Sequence, residues 1–269
     1  MIKEFFGFNN GGYQRTPEGY MSWQHLVFVF SFIIVMVALA VVLGIKNRNK
    51  DEKIKNKVLI ISAILIDVIE ISRIVLISFR CQDPMHWKYE LPLFLCSIHF
   101  IALPLAAFAK GRLKEAALDF VLVFGILSAL AGNIGAGQNF NAFPVLSFDN
   151  CVSCITHSIS GFASLYIAIS GMGSMKKKNI WITFIILISF CAVAYVADIL
   201  IPYNYMFLMR GDGTPYDIFY NLVGGNPIAY PLVVVGLFLL YISVFYIIWI
   251  LCTRKKDKKP SIQEQQINE

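Results

Sequence analysis

Charge is scarce in this chain. Only 15% of its 269 residues are Asp, Glu, Lys or Arg, against about 25% in soluble proteins. With 57% hydrophobic residues, it is too apolar to stay disordered and too apolar to hide its side chains in a soluble core. Six cysteines are too few for a disulfide-dense secreted module. No Lys-Ser or Lys-Thr follows Gly132, Gly135 and Gly137, and no strand precedes them, which excludes a phosphate loop. No internal repeat is visible. The net charge of +6 does not indicate a nucleic-acid partner, because the cations lie between long apolar runs. Those runs define an integral membrane protein whose immediate partners are membrane lipids.

A spanning helix needs about 20 apolar residues to cross about 30 Å of hydrocarbon. Seven such stretches occur, at 25–45, 58–79, 91–109, 115–136, 152–172, 180–201 and 231–252. Barrel strands would alternate over about 10 residues, whereas these runs are unbroken. The expected fold is all-α, a seven-helix transmembrane bundle over 25–252, with an extracytoplasmic segment at 1–24 and a charged cytoplasmic tail at 253–269. The first, third and fifth connections and the tail hold 17 of the 23 Lys and Arg. Positive charge stays cytoplasmic, so the N-terminus is expected outside and the C-terminus inside, in a multi-pass protein of the cell membrane. The first run is followed by six basic residues, the order of a signal-anchor rather than a cleaved signal peptide. The connection 202–230 is long for its kind and is expected to fold as a cap.

Ionisable groups inside a spanning segment are functional candidates by default. The second stretch carries Asp67, Glu70 and Arg73 among 15 large apolar residues. Three central charges cost about 7.5–10.5 kcal/mol on the insertion scale, as much as the apolar residues return. The helix must therefore turn that stripe inward, and Glu70 and Arg73 are spaced to pair. On the expected topology, Cys96, His99, His157, Asn133, Asp198 and His25 share one layer in the outer leaflet, with His86 in an outer loop. A thiol with an imidazole at its own depth can be an activated nucleophile. Either His99 or His157 could serve Cys96, and Pro104 should bend the third helix beside them. Cys151, Cys154 and His157 have a metal-like spacing without a matching second half, so no metal and no cofactor is implied. Cys81 and Cys151, both in outer loops, could form a disulfide. The seventh stretch has no Lys for a retinal Schiff base.

Several short motifs add a resemblance. They are Ser22-Trp23-Gln24-His25, Leu91-Pro92-Leu93-Phe94-Leu95-Cys96, His157, Asn204-Tyr205-Met206-Phe207, the segment 215–217 and Gly224-Gly225-Asn226-Pro227. In this order they resemble the YwaF-like bacterial membrane proteins, relatives of the animal transmembrane protein 164 acyltransferases. Phe94 stands where that pattern has His, in Leu-Pro-Leu-His-Leu-Cys, which shifts any role of that residue to His99. The entry to the last helix is reduced to Asn226-Pro227-Ile228-Ala229-Tyr230. The resemblance implies acyl transfer between glycerophospholipids, with Cys96 as nucleophile and His157 as base. Glu70, Arg73, Asn133, Asn204, Tyr205 and His25 are the expected substrate-binding residues, Arg73 or Asn133 holding a phosphate or oxyanion. A competing reading is an ion-coupled carrier with Asp67, Glu70, Arg73, His157 and Asp198 as its relay. A third is a non-catalytic sensor.

Overall fold

The computed structural model describes residues 2–9 and 12–254. The tail beyond Arg254, expected to be cytoplasmic, lies outside the described residues. Seven helices of ten or more residues follow the apolar runs: α1 (Trp23–Asn47), α2 (Glu52–Cys81), α3 (His99–Phe108), α4 (Gly111–Ala129), α5 (Phe148–Ser170), α6 (Ile180–Leu200) and α7 (Ala229–Arg254). Among the described residues the only β-pairing is the single bridge between Asn9 and Gly12.

Among the described residues, five helical regions are long and apolar enough to cross a membrane, at Trp23–Asn47, Gly111–Ala142, Phe148–Ser170, Lys177–Leu200 and Ala229–Thr253. The protein is therefore a multi-pass membrane protein. The run 58–79 forms the longest helix but carries Asp67, Glu70 and Arg73, which keep it out of that apolar set. The run 91–109 corrects the expectation of one continuous helix, because only its last part, α3, is helical. Pro92 pushes Leu91 away from helical angles, and the Leu93 N–H turns back to the Leu91 carbonyl at 2.8 Å. The Ser97 hydroxyl accepts from the Phe94 N–H at 3.1 Å. Local bonds thus take the place of the helical ladder through 91–98, and Pro104 lies within the short helix that follows.

At the centre lie α4 and α5. Nearly all of α4 from Ala116 to Ala129 is buried, and α5 packs against both α1 and α4. Small residues permit the close approach, as expected where lipid leaves van der Waals packing as the main attraction between helices. A Cβ at Gly125 would sit 2.5 Å from the Ser160 carbonyl oxygen, and one at Gly161 2.5 Å from Met36 Sδ and 2.6 Å from Ala129 Cβ. Ser147 caps the start of α5 by accepting from the Asn150 N–H, and Gly171 ends it in the left-handed conformation at φ 74°. The outer faces of α1, α6 and α7 carry exposed Val27, Ile34, Ile185, Val193, Leu240 and Ile247, an apolar surface matched to lipid.

Residues 2–9 and 12–22 are clamped over one end of the bundle. Arg80 of α2 makes two bonds to Asp149 of α5, at 2.6 and 3.0 Å, and donates to the Phe6 carbonyl at 3.3 Å. Tyr13 donates to the same carboxylate at 2.5 Å and lies under the Arg80 guanidinium. Burial and the neighbouring Asp149 push the Tyr13 phenol up to about 12, so it stays a donor at physiological pH. Glu18 accepts from the Val145 N–H at 2.7 Å, which ties the segment to the loop before α5.

Two outcomes test this packing. Gly125→Leu overfills the α4–α5 contact and should cost about 1–3 kcal/mol or more, read as a lower thermal midpoint in detergent. Asp149→Asn should weaken the clamp and speed proteolytic cleavage within 2–22 by about tenfold, equivalent to roughly 1.4 kcal/mol of closure.

Candidate active site

Beneath the clamp lies a cavity of about 690 Å³, walled by α2, the unwound 91–98 segment, the end of α4, α5 and the 202–214 loop. Its floor holds Cys96 and His157, and its rim is charged. Because 91–98 is not helical, Cys96 stands just ahead of the N-terminus of α3, where the helix dipole favours negative charge. Cys96 and His157 line the same cavity, near enough for the imidazole to act electrostatically on the thiol. The thiol and imidazole form no bond of ordinary geometry. Such contacts are often long before substrate tightens them.

His157 is held on its other side. Its Nδ1 lies 2.6 Å from the Ser153 carbonyl oxygen, a geometry that assigns the proton to Nδ1 and leaves Nε2 as the free basic nitrogen. Gly132 supports the ring face, since a Cβ there would fall inside the imidazole. Gly132 belongs to a π-helical turn, Leu130–Ile134, that continues α4. Turns of this kind are rare and frequent at functional sites.

One wall of the cavity is an ion network. Arg73 binds Glu70 at 2.5 and 2.9 Å and Glu90 at 2.7 Å, so the pair expected from the i,i+3 spacing forms and gains a second carboxylate. His86, assigned to an outer loop, approaches Glu90 at 3.4 Å and the Cys81 sulfur at 3.8 Å, and both residues line the mouth. Cys81 and Cys151 are free thiols, which corrects the disulfide considered between them. The Arg80–Asp149 pair also lines the cavity.

Four of the expected site residues line this cavity: Cys96, His157, Glu70 and Arg73. The other five lie behind its walls. His99 is fully buried, with Nδ1 3.2 Å from the Cys96 carbonyl oxygen rather than its sulfur. Asn133 donates to Ser158 Oγ at 3.3 Å. His25 accepts from the Met21 N–H at 3.2 Å and packs 4.1 Å from the Phe140 ring. Asn204 organises its own loop, accepting from the Met209 N–H at 2.9 Å and donating to the Arg210 carbonyl at 2.8 Å. Tyr205 is buried and donates to the Lys88 carbonyl at 2.6 Å, which joins the 202–230 connection to the segment before Cys96. Phe94 lies among Tyr203, Tyr205 and Phe207, with ring centroids 5.3–6.1 Å away. An apolar hub thus occupies the position where the resembled motif has His.

The groups of the carrier reading do not form a chain. Asp198 accepts from the Tyr205 N–H at 2.7 Å, and neither Asp198 nor Asp67 lines the cavity. Other residues of the site are not marked by any motif. Arg80 and Asp149 meet only through tertiary structure, and Gly132 reads as a glycine of an apolar run. Ser153, four residues before His157, is the exception, since that spacing on a helix places it under the ring.

No curated protein and no solved structure matches the chain. The sequence model of the TMEM164 family matches residues 20–249, a stretch that contains α1 to α6, most of α7, and both Cys96 and His157. The chain belongs to the TMEM164 family.

Proposed function

We propose that this protein is a membrane-embedded acyltransferase or acyl hydrolase that acts on phospholipid or lysophospholipid acyl esters through Cys96 and His157. The observation that carries the reading is that a thiol and an imidazole held through Nδ1 line one cavity, together with apolar side chains and charged groups. In this scheme His157 Nε2 takes the thiol proton, and the Cys96 sulfur attacks the ester carbonyl. The backbone N–H of Cys96, bonded to no other backbone group among the described residues, would be a donor to the developing oxyanion. The tetrahedral adduct collapses to an acyl thioester, and the departing lysolipid oxygen takes the proton from His157. A lysophospholipid hydroxyl or water, deprotonated by His157, then attacks the thioester and restores the thiol. Arg73 and Arg80 are the guanidinium donors of the cavity, and a lipid phosphate would bind them in competition with Glu70, Glu90 and Asp149.

Family membership supports a membrane protein of acyltransferase kinship. The YwaF-like placement, on the motifs ending at Cys96 and Phe207, belongs to the same proposal. So do the seven crossings, the external N-terminus and the location of the site in the outer leaflet of the cell membrane. Native cysteines test the orientation: a membrane-impermeant maleimide applied to intact cells should label exposed Cys81 and spare Cys252. The opposite pattern reverses the topology.

Chemistry is tested on purified protein offered phospholipid. Mass spectrometry should find a hydroxylamine-sensitive acyl adduct on Cys96 that is lost in Cys96→Ala and His157→Ala. Gly132→Leu, which displaces the imidazole without removing it, should lower adduct formation by on the order of a hundredfold. An intact protein that yields neither adduct nor lipid product refutes the proposal.

A further inference from the structure

The unwound segment leaves the Cys96 carbonyl outside any helical ladder, and no backbone N–H is bonded to it among the described residues. Two side chains take its place. His99 approaches that oxygen through Nδ1 at 3.2 Å, and Ser128 of α4 donates to it through Oγ, also at 3.2 Å. Both are buried, at 0% and 3% exposure, and neither lines the cavity. A buried carbonyl that lost these donors would bear the full desolvation cost of an unmet acceptor.

Ser128 also stands four residues before Gly132, the residue on which the His157 ring rests. One stretch of α4 therefore carries both the hydroxyl that pins the cysteine backbone and the glycine that seats the imidazole. We infer that Ser128 and His99 are positioning residues that hold the Cys96 thiol in register with His157, and that His99 is not the base. His99 commits Nδ1 to the carbonyl, and its Nε2 is buried without a partner, so neither nitrogen is placed to take the thiol proton. The inference rests on the acyl-transfer reading for its kinetic consequence, whereas its geometric content stands on Cys96 alone.

The test uses full-length protein in lipid nanodiscs and two readouts: the rate of acyl-Cys96 formation from phospholipid, and peptide-resolved alkylation of Cys96 by iodoacetamide. Ser128→Ala and His99→Leu should slow maximal acylation by about tenfold or more while KM for the donor changes by less than about twofold. Ser128→Thr keeps the hydroxyl, and His99→Asn places an amide N–H where Nδ1 stands. Both should return to within about threefold of the parent rate. A passive packing role would not separate Thr from Ala, or Asn from Leu, in this way.

Ser128→Ala acylating at the parent rate overturns the inference. So does a folded His99→Asn as inactive as His157→Ala, which would make His99 the base. Should His99→Leu fail to fold, the Ser128 pair carries the test, since it alters one small side chain. Should the parent protein form no adduct, the acyl-transfer reading falls and alkylation decides the geometry. Ser128→Ala should then alkylate at Cys96 several-fold more slowly than Ser128→Thr, and equal rates would refute the positioning role.

Discussion

The close approach of α4 and α5 is the contact on which the rest of the structure depends. Lipid offers no hydrophobic force between helices, so they associate through packing and hydrogen bonds. Gly125 and Gly161 let the two backbones meet, and the Ser164 hydroxyl donates across the join to the Leu122 carbonyl at 2.6 Å. Extending the same seam by one turn brings Gly132 against His157. The geometry of the candidate site is thus inherited from helix packing, and the His157 ring sits where it does because the turn that continues α4 has no side chain at Gly132.

A second constraint concerns charge. Arg73 is shared by two carboxylates, and Arg80 is matched by Asp149 with a phenol beside it. Buried ions persist when paired, and removing one partner leaves the other uncompensated, at about 3–5 kcal/mol. These pairs join α2 to the loop before α3 and to the start of α5, so the long polar helix is fastened to the bundle by ionic contacts where its neighbours use small residues. They also give a largely hydrophobic cavity a polar mouth, the division an amphiphilic ligand requires.

Much of this was legible in the sequence. Apolar run length located six long helices and, only in part, the short α3, and the i,i+3 spacing foretold the Glu70–Arg73 pair. Depth arithmetic put Cys96 and His157 at one level, and both line the same cavity. What failed was the assumption that an apolar run is a continuous helix. Pro92 and the Ser97 hydroxyl unwind 91–98, which changes the surroundings of Cys96 and turns His99 to the backbone. Asn204 and Tyr205 share a motif with the loop they organise, and spacing cannot distinguish a residue that holds a wall from one that faces the space within. Contacts such as Arg80–Asp149, 69 residues apart in the chain, leave no local trace.

The clamp has a practical corollary. Residues 2–19 precede the stretch shared with the family, yet through Phe6 and Tyr13 they bear directly on the Arg80–Asp149 pair. A purification handle or fluorescent fusion joined at the amino end would pull on the roof of the chamber. No described residue of α7 lines it, which makes the carboxyl end the better attachment point for reporters meant to leave the chamber undisturbed.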